Sequence, residues 1–414
     1  MRFFHTSDWH LGQSLYGQSR EYEHAAFLAW LLDQIAAHRP DALLIAGDIF
    51  DTVNPPMSAQ EQLYRFLADA HTRLPSLQII MIAGNHDSGG RIELPAPLLK
   101  ALKTHVIGRV RWLDGALDTS QLLVPMTNLD GVVQAWCLAL PFLRPAEVTA
   151  GGQGMSTMEA VEDVYEQLIT VAKDQSKGQP LVLMSHAHMV GGAISEESER
   201  SIVIGTAEAL STDLFPADVD YVALGHLHRP QMVGGETRIR YSGSPIPLSF
   251  SEENYKHQVL LVELEVGQLP QIDPLLIPRA VEMIRVSGSL SEVLVKLDAL
   301  DKTIRPVEEQ PFLEVRVYAD NAPFPPNLRQ QIEDALPEKA VRLVRLRKES
   351  RVISSSDSSH SVIAPIKEQT PQSLYADVWL DKYGEPDEAV FADFAALVDE
   401  FHSTESSDAV NTLL

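Results

Sequence analysis

Five short apolar runs, each breaking off at residues that bind cations, constrain this chain more than any other feature in it. RFFHTS (2–7) leads into Asp8, Trp9 and His10, ALLIAG (42–47) into Asp48 and Asp51, and IIMIAG (79–84) into Asn85, His86 and Asp87. LVLMS (181–185) leads into His186, and YVALG (221–225) into His226, Leu227 and His228. Apolar runs of this length that stop at polar loops read as strands buried on both faces. Helix-length segments lie between them, for example 23–38 and 58–73, where apolar positions recur at three and four residues. Strands alternating with helices predict an α/β layered domain over 1–275.

Taken singly, a histidine at a strand end is ordinarily a hydrogen-bonded surface or core residue, and a Gly-Asp pair is a turn. Five such ends in one α/β sheet system are different, because loops beyond the carboxyl ends of parallel strands gather at one edge, where ligand sites form. Side chains alternate along a strand, so Asp8 and His10, and again His226 and His228, are expected to point the same way. The donors are carboxylates, one amide oxygen and imidazoles, with no thiolate. That mixture suits divalent transition ions, manganese first, with iron, zinc or magnesium as alternatives. A carboxylate usually bridges two ions about 3.5 to 4 Å apart, and Asp48 is the candidate bridge. His5 and His188 stand close to these ligands in sequence, with a direct role left open for each. The sole cysteine, Cys137 in QAWCLALP, is expected to be a core thiol in a reducing compartment.

The string DxH, GDxxD, GNHD, a lone strand-end histidine and GHxH resembles the signature of the calcineurin-like metallophosphoesterases. TSDWHLG, SREYEH, GDIFDT, GNHDS, PFLRP, GHLHRP and YSGSPIPLSF, in that order, further resemble the bacterial SbcD family of nuclease subunits from residue 1 to about 350. The resemblance implies that Asp8, His10, Asp48 and His228 hold one metal, and that Asp48, Asn85, His186 and His226 hold the other. His86 is then free of metal and stands beside the scissile phosphate as the catalytic proton donor or charge stabiliser. Some relatives have a histidine where Asp51 stands here, so Asp51 either orients a ligand or caps the following turn. The fold implied is a layered core, a β-sandwich flanked by helices, with a small α/β capping domain and C-terminal helices. The activity implied is manganese-dependent DNA cleavage in repair, recombination and replication, as an exonuclease on duplex ends and an endonuclease on single strands and hairpins. The partners implied are DNA and an SMC-like ATPase, SbcC, bound by a homodimer to give a heterotetramer in the cytoplasm, at the nucleoid. Two other readings stand beside it: a phosphodiesterase or phosphatase on small or protein substrates, and a DNA-end tether whose metals are architectural.

Around residue 270 the texture changes. Pro270, Pro274 and Pro278 mark a connector, after which the order reads strand (VEMIRV), helix (290–300), strand (FLEVRVYA), helix (328–336), strand (VRLVRL). This predicts a small α/β unit over 276–351. Residues 352–372, rich in Ser and Pro, read as a flexible linker. Residues 373–414 read as two amphipathic helices, one with Leu374, Val378, Trp379 and Tyr383 on a face, the next with Phe391, Phe394, Leu397, Val398 and Phe401. They either fold back on the body or dock on another protein.

The formal charge of −24 argues against nucleic acid, but its distribution weakens the objection. Residues 279–351 carry 13 Lys+Arg against 12 Asp+Glu, whereas 352–414 carry 2 against 12. The densest basic run, VRLVRLRKESR, supplies Arg342, Arg345, Arg347 and Lys348 as DNA-binding candidates; a solvated strand flank explains them as well. No run of about 18 apolar residues is present, so no membrane-spanning helix is expected.

Overall fold

Strand Ala42–Ala46 is buried at every residue because it is covered on both faces. Ala42, Leu44 and Ala46 share a core with Leu183, Met184 and Val222 of a second sheet. Leu43 and Ile45 turn the other way, onto Phe27 and Leu31 of helix Glu21–His38 and Leu63 and Phe66 of helix Met57–Arg73. One strand thus feeds two cores through its side-chain alternation, and the apolar run has no polar position because neither face meets water.

The computed structural model describes residues 1–149, 154–195, 209–320, 324–337 and 339–351, together with Tyr375, Val390, Phe391 and Phe394. The first sheet has the order Gln271–Leu276, Gln258–Glu263, Arg2–Thr6, Ala42–Ala46, Gln78–Ile82, Thr104–Ile107. The second has the order Gln231–Val233, Glu236–Tyr241, Tyr221–Gly225, Leu181–His186, Val133–Leu140, Leu123–Thr127. Arg2–Thr6, Ala42–Ala46 and Gln78–Ile82 are mutually parallel, as are Val133–Leu140, Leu181–His186 and Tyr221–Gly225. Helix Thr157–Ser176 covers the outer face of the second sheet through Val161, Val164 and Leu168. It begins at a reciprocal cap in which Ser156 accepts from the Glu159 amide and Glu159 accepts from the Ser156 amide. The layered α/β fold expected from the sequence, a β-sandwich flanked by helices, is the fold found. Cys137 lies buried within it.

Beyond the connector, Met283–Gly288, Phe312–Asp320 and Arg342–Arg351 form a three-stranded parallel sheet. Helices Leu290–Asp298 and Leu328–Asp334 cover one face, closing a core around Val293, Leu297, Val315 and Ile332. The opposite face docks on the large sandwich where Met283 and Phe312 meet Leu15 and Phe250. All of this belongs to one compact unit, Met1–Arg351. The second unit is Val352–Leu414; within it the Tyr375 ring stacks on Phe394 at 3.9 Å between centroids. The linker over 352–372 and, apart from the four residues named, the tail helices over 373–414 lie outside the described residues. No helix among the described residues is long and apolar enough to cross a membrane.

Candidate metal centre

The strands Arg2–Thr6, Ala42–Ala46, Gln78–Ile82 and Tyr221–Gly225 stop before their cation-binding residues begin. Strand alternation therefore does not aim Asp8 with His10, or His226 with His228. Tight backbone turns do so instead: Asp8, His10, Asp48 and His226 have φ of 54°, 47°, 47° and 107°. Non-glycine residues in this region cost about 1–3 kcal/mol each and persist where the surroundings over-determine them. The motif glycines leave the space that the turns need. A Cβ on Gly84 would run into Asp48 Oδ1, and one on Gly225 would run into the Ala46 carbonyl.

All seven proposed ligands come together. Asp8, His10 and His228 bring ligand atoms within 4.8 Å of one another, and so do Asp8, Asp48 and His186. Asn85 Oδ1 lies 3.0 Å from His186 Nε2 and 3.2 Å from His226 Nδ1. Three imidazoles are oriented from behind. His10 Nδ1 donates to Asp51 Oδ1 at 3.2 Å, His186 Nδ1 to the Ala46 carbonyl at 2.9 Å, and His228 Nδ1 to Glu252 Oε1 at 2.9 Å. Each bond commits the Nδ1 proton and turns Nε2 toward the cluster. His10 Nε2 is buried and has no hydrogen-bond partner among the described residues, although Asp48 Oδ2 is 3.6 Å away.

Electrostatics match that arrangement. Burial opposes the charge on Asp48, but His186 and His10 outweigh it and hold the carboxyl well below the usual carboxylate range. Burial likewise opposes a proton on His186, yet the Asp48 charge raises it to about 9. His226 is driven well below its ordinary value by burial and then by His186, so it offers a neutral ring. Ionised carboxylate, neutral imidazole, an amide oxygen and an unpartnered buried nitrogen fit a divalent ion pair.

His86 enters the same cluster, with one ring nitrogen within 4.8 Å of ligand atoms of His10 and Asp48. Its backbone amide donates to Asp48 Oδ1 at 2.8 Å and its Nδ1 to the Asp51 carbonyl at 2.8 Å. Asp51 therefore touches two histidines, one through its side chain and one through its backbone. His5 points between the sheets, where its ring nitrogens meet Tyr221 Oη and the Leu224 carbonyl. The His188 ring lies 6.0 Å from that of His226.

Sequence reasoning missed several supports. Asp87 accepts from the amides of Ile49, Phe50 and Gly84 at 2.9 to 3.1 Å, which ties the Asp48 loop to the Asn85 loop. In SREYEH, Arg20 and Glu23 form a buried ion pair, and His24 Nε2 donates to the Trp9 carbonyl at 2.9 Å. YSGSPIPLSF reads in sequence as a loop over the site edge, its polar groups open to a phosphate or to turn chemistry; in the structure Ser242 reaches Ser7 at 2.8 Å and Ser244 donates its amide to the His228 carbonyl at 3.1 Å. Glu252, just beyond it, carried no motif of its own.

Of the basic run, Arg342 lies 4.0 Å from the Phe312 ring centroid and donates to the Gln310 carbonyl. Arg345 donates to Tyr16 Oη at 2.5 Å, and Arg347 lies 3.4 Å from Glu314. Lys348 is the exposed member.

A family model described as calcineurin-like phosphoesterase matches residues 1–230. A second, described as the type 5 capsule protein repressor C-terminal domain, matches residues 279–383. Three relatives are each named as the SbcD component of the nuclease SbcCD. The one from Rhodobacter capsulatus is 39% identical over 390 residues, 91% of this chain and 94% of its own. The one from Escherichia coli K12 is 34% identical over 364 residues, 85% and 86% of the two chains. The one from Bacillus subtilis 168 is 33% identical over 306 residues, 72% and 75%.

Proposed function

Because the chain belongs to the SbcD family of calcineurin-like phosphoesterases and is accordingly a metal-dependent nuclease component, we propose that it cleaves DNA phosphodiesters at this cluster. The observation that supports the reading is His10 Nε2, a buried nitrogen with no hydrogen-bond partner among the described residues, set among the carboxylates of Asp8 and Asp48 and the imidazoles of His86 and His228. Asp8, His10, Asp48 and His228 are assigned to one divalent ion, and Asp48, Asn85, His186 and His226 to the other, with manganese the first choice. When bound, such a pair supplies Lewis acidity toward phosphoryl oxygen and lowers the pKa of water to about 7.

The rest is the chain's own work. Asp51, through its carboxylate on His10 Nδ1, holds that ring in one tautomer. The Asp51 carbonyl holds His86 Nδ1 in the same way, so that Nε2 passes a proton to the leaving alkoxide when the ring is in its imidazolium form. Lys348, exposed at the sheet edge, is the favoured phosphate contact of the basic run; Arg342, Arg345 and Arg347 support the sheet. The small sheet acts as a cap on the DNA groove, the segment over 352–372 as a tether, and 373–414 as the dock for an SMC-like ATPase, in the cytoplasm. Leu94 and Leu98, 76% and 78% exposed beside the site loops, support a homodimer.

The deciding assay uses purified protein with manganese or magnesium on blunt duplex, hairpin and single-stranded DNA, each repeated with His86→Ala. Manganese-dependent cleavage that disappears in His86→Ala is expected. Fast turnover of p-nitrophenyl phosphomonoesters that excess DNA does not inhibit would overturn the DNA reading. Removal of 370–414 is expected to abolish co-purification of the ATPase.

A further inference from the structure

The one-turn element Phe250–Glu252 faces two ways. Toward the metal centre, Glu252 is fully buried and both its oxygens are committed to donors. Oε1 accepts from His228 Nδ1 at 2.9 Å, while Oε2 accepts from the Leu248 amide at 2.8 Å and Ser244 Oγ at 3.3 Å. A carboxylate held on both sides cannot rotate, so it fixes both the tautomer and the direction of His228. Toward the small sheet, Arg285 grips the same turn. Its Nη2 donates to the Phe250 carbonyl at 2.8 Å, its Nη1 to Glu253 Oε1 at 2.5 Å, and its Nε to Glu314 at 2.7 Å. Arg279 in the connector adds a bond to the Glu253 carbonyl at 2.6 Å.

We propose that Glu252 is a positioning residue for His228, and that the small sheet sets the turn carrying it through Arg285, so that docking of this sheet and occupancy of the metal centre are linked. The proposal rests on the reading of His228 as a metal ligand. A ligating histidine and the group behind it act together, and loss of such a carboxylate typically weakens metal binding about 10- to 100-fold. Only a turn is interposed between that carboxylate and the Arg285 guanidinium, so loosening Arg285 frees the backbone on which the carboxylate is mounted. Linkage is reciprocal: whatever factor docking contributes to ion affinity, ion binding returns to docking.

The test uses the full chain stripped of metal. Manganese binding is measured by calorimetry, and hydrogen exchange of residues 283–288 is followed with and without manganese. Wild type is expected to bind two ions and to gain protection at 283–288 on binding them. Glu252→Ala and Arg285→Ala are each expected to weaken one ion about 10- to 100-fold and leave the other unchanged. Arg285→Lys should recover part of the loss, and Glu252→Ala should erase the manganese-induced protection. Val293→Ala, which loosens the small core without touching the turn, should keep both affinities. If wild type binds no manganese, the metal reading falls and this proposal with it. If wild type binds two ions and the Glu252 and Arg285 variants match it, the linkage alone is wrong. Weakening by Val293→Ala as large as that by Arg285→Ala would also overturn it, by assigning the loss to general instability.

Discussion

Asp48 and Glu314 are both carboxylates withdrawn from water, and they are surrounded in opposite ways. Glu314, in the small sheet, meets Arg285 at 2.7 Å, Arg316 at 2.8 Å, Arg347 at 3.4 Å and Arg345 at 3.5 Å, from all three strands. Among the described residues Asp48 meets no arginine; its neighbours are His186, His10 and the His86 amide, and its own backbone is left-handed. A carboxylate ringed by permanent cations is a static joint. One ringed by imidazoles, on a strained turn, is matched to a cation that comes from outside the chain, because neutral imidazole donates a lone pair to a metal.

The largest effects test the Asp48 side of this contrast. His86→Ala is expected to lower cleavage about 100- to 10,000-fold, the usual range for a proton-transfer group, with two ions still bound by elemental analysis. Asn85→Ala is expected to lose an ion. If His86→Ala emptied the site, its role as a proton carrier rather than a ligand would be wrong. On the other side, Glu314→Ala removes the one carboxylate that four guanidinium groups share, and leaves Arg285 with Glu253 and Arg316 with Glu349. Removing one partner of a buried ionic group costs about 3–5 kcal/mol, and the half-open arginines put the expected loss at the lower end, read by denaturant melts of the metal-free protein. An unchanged midpoint would mean that Glu314 holds nothing together.

The two regions also differed in how far the sequence disclosed them. The candidate metal centre was legible because each proposed ligand stands close behind an apolar run, and such runs are hard to mistake when both faces are buried, as at Ala42–Ala46. What was not legible was how the ligands are aimed. Asp8 and His10 converge by left-handed turns rather than strand parity, and Glu252 reaches His228 from 24 residues away through a buried contact without a local pattern. The basic run was legible as charge density but not in its contacts. Charge density in sequence marks Arg345 and Arg347, but their partners, Tyr16 and Glu314, lie on elements distant in the chain.

Histidines supply a smaller test of the same division. His5 is lowered to about 3, by burial first, with the Leu224 carbonyl bond opposing. Its folded value lies below the unfolded one near 6.5, so the unfolded chain takes up the proton first as pH falls. The stability it protects is therefore complete above pH about 6.5 and is lost progressively as pH falls from there toward 3. Between pH about 6.5 and 5 the loss is about 2 kcal/mol. Denaturant melts of metal-free protein at the two pH values should show it, and His5→Gln should flatten the slope. An identical slope in the variant would place the acid sensitivity elsewhere.

The smallest effect discriminates most finely within the basic run. Lys348 is exposed, whereas Arg345 lies 4.8 Å from the Tyr16 ring centroid and bonds its hydroxyl. A lysine that neutralises one phosphate releases about one counterion, so Lys348→Ala should weaken DNA binding several-fold and reduce the salt slope by about 1. Arg345→Ala should leave the salt slope nearly unchanged, since its charge is already engaged beside Glu314, and should instead lower stability. If Arg345→Ala flattened the slope as much as Lys348→Ala, the guanidinium would be meeting phosphate as well as Tyr16. The arginines around Glu314 would then be a binding surface that the carboxylate merely arranges, and the separation between a static joint and an exchangeable site would no longer hold for the small sheet.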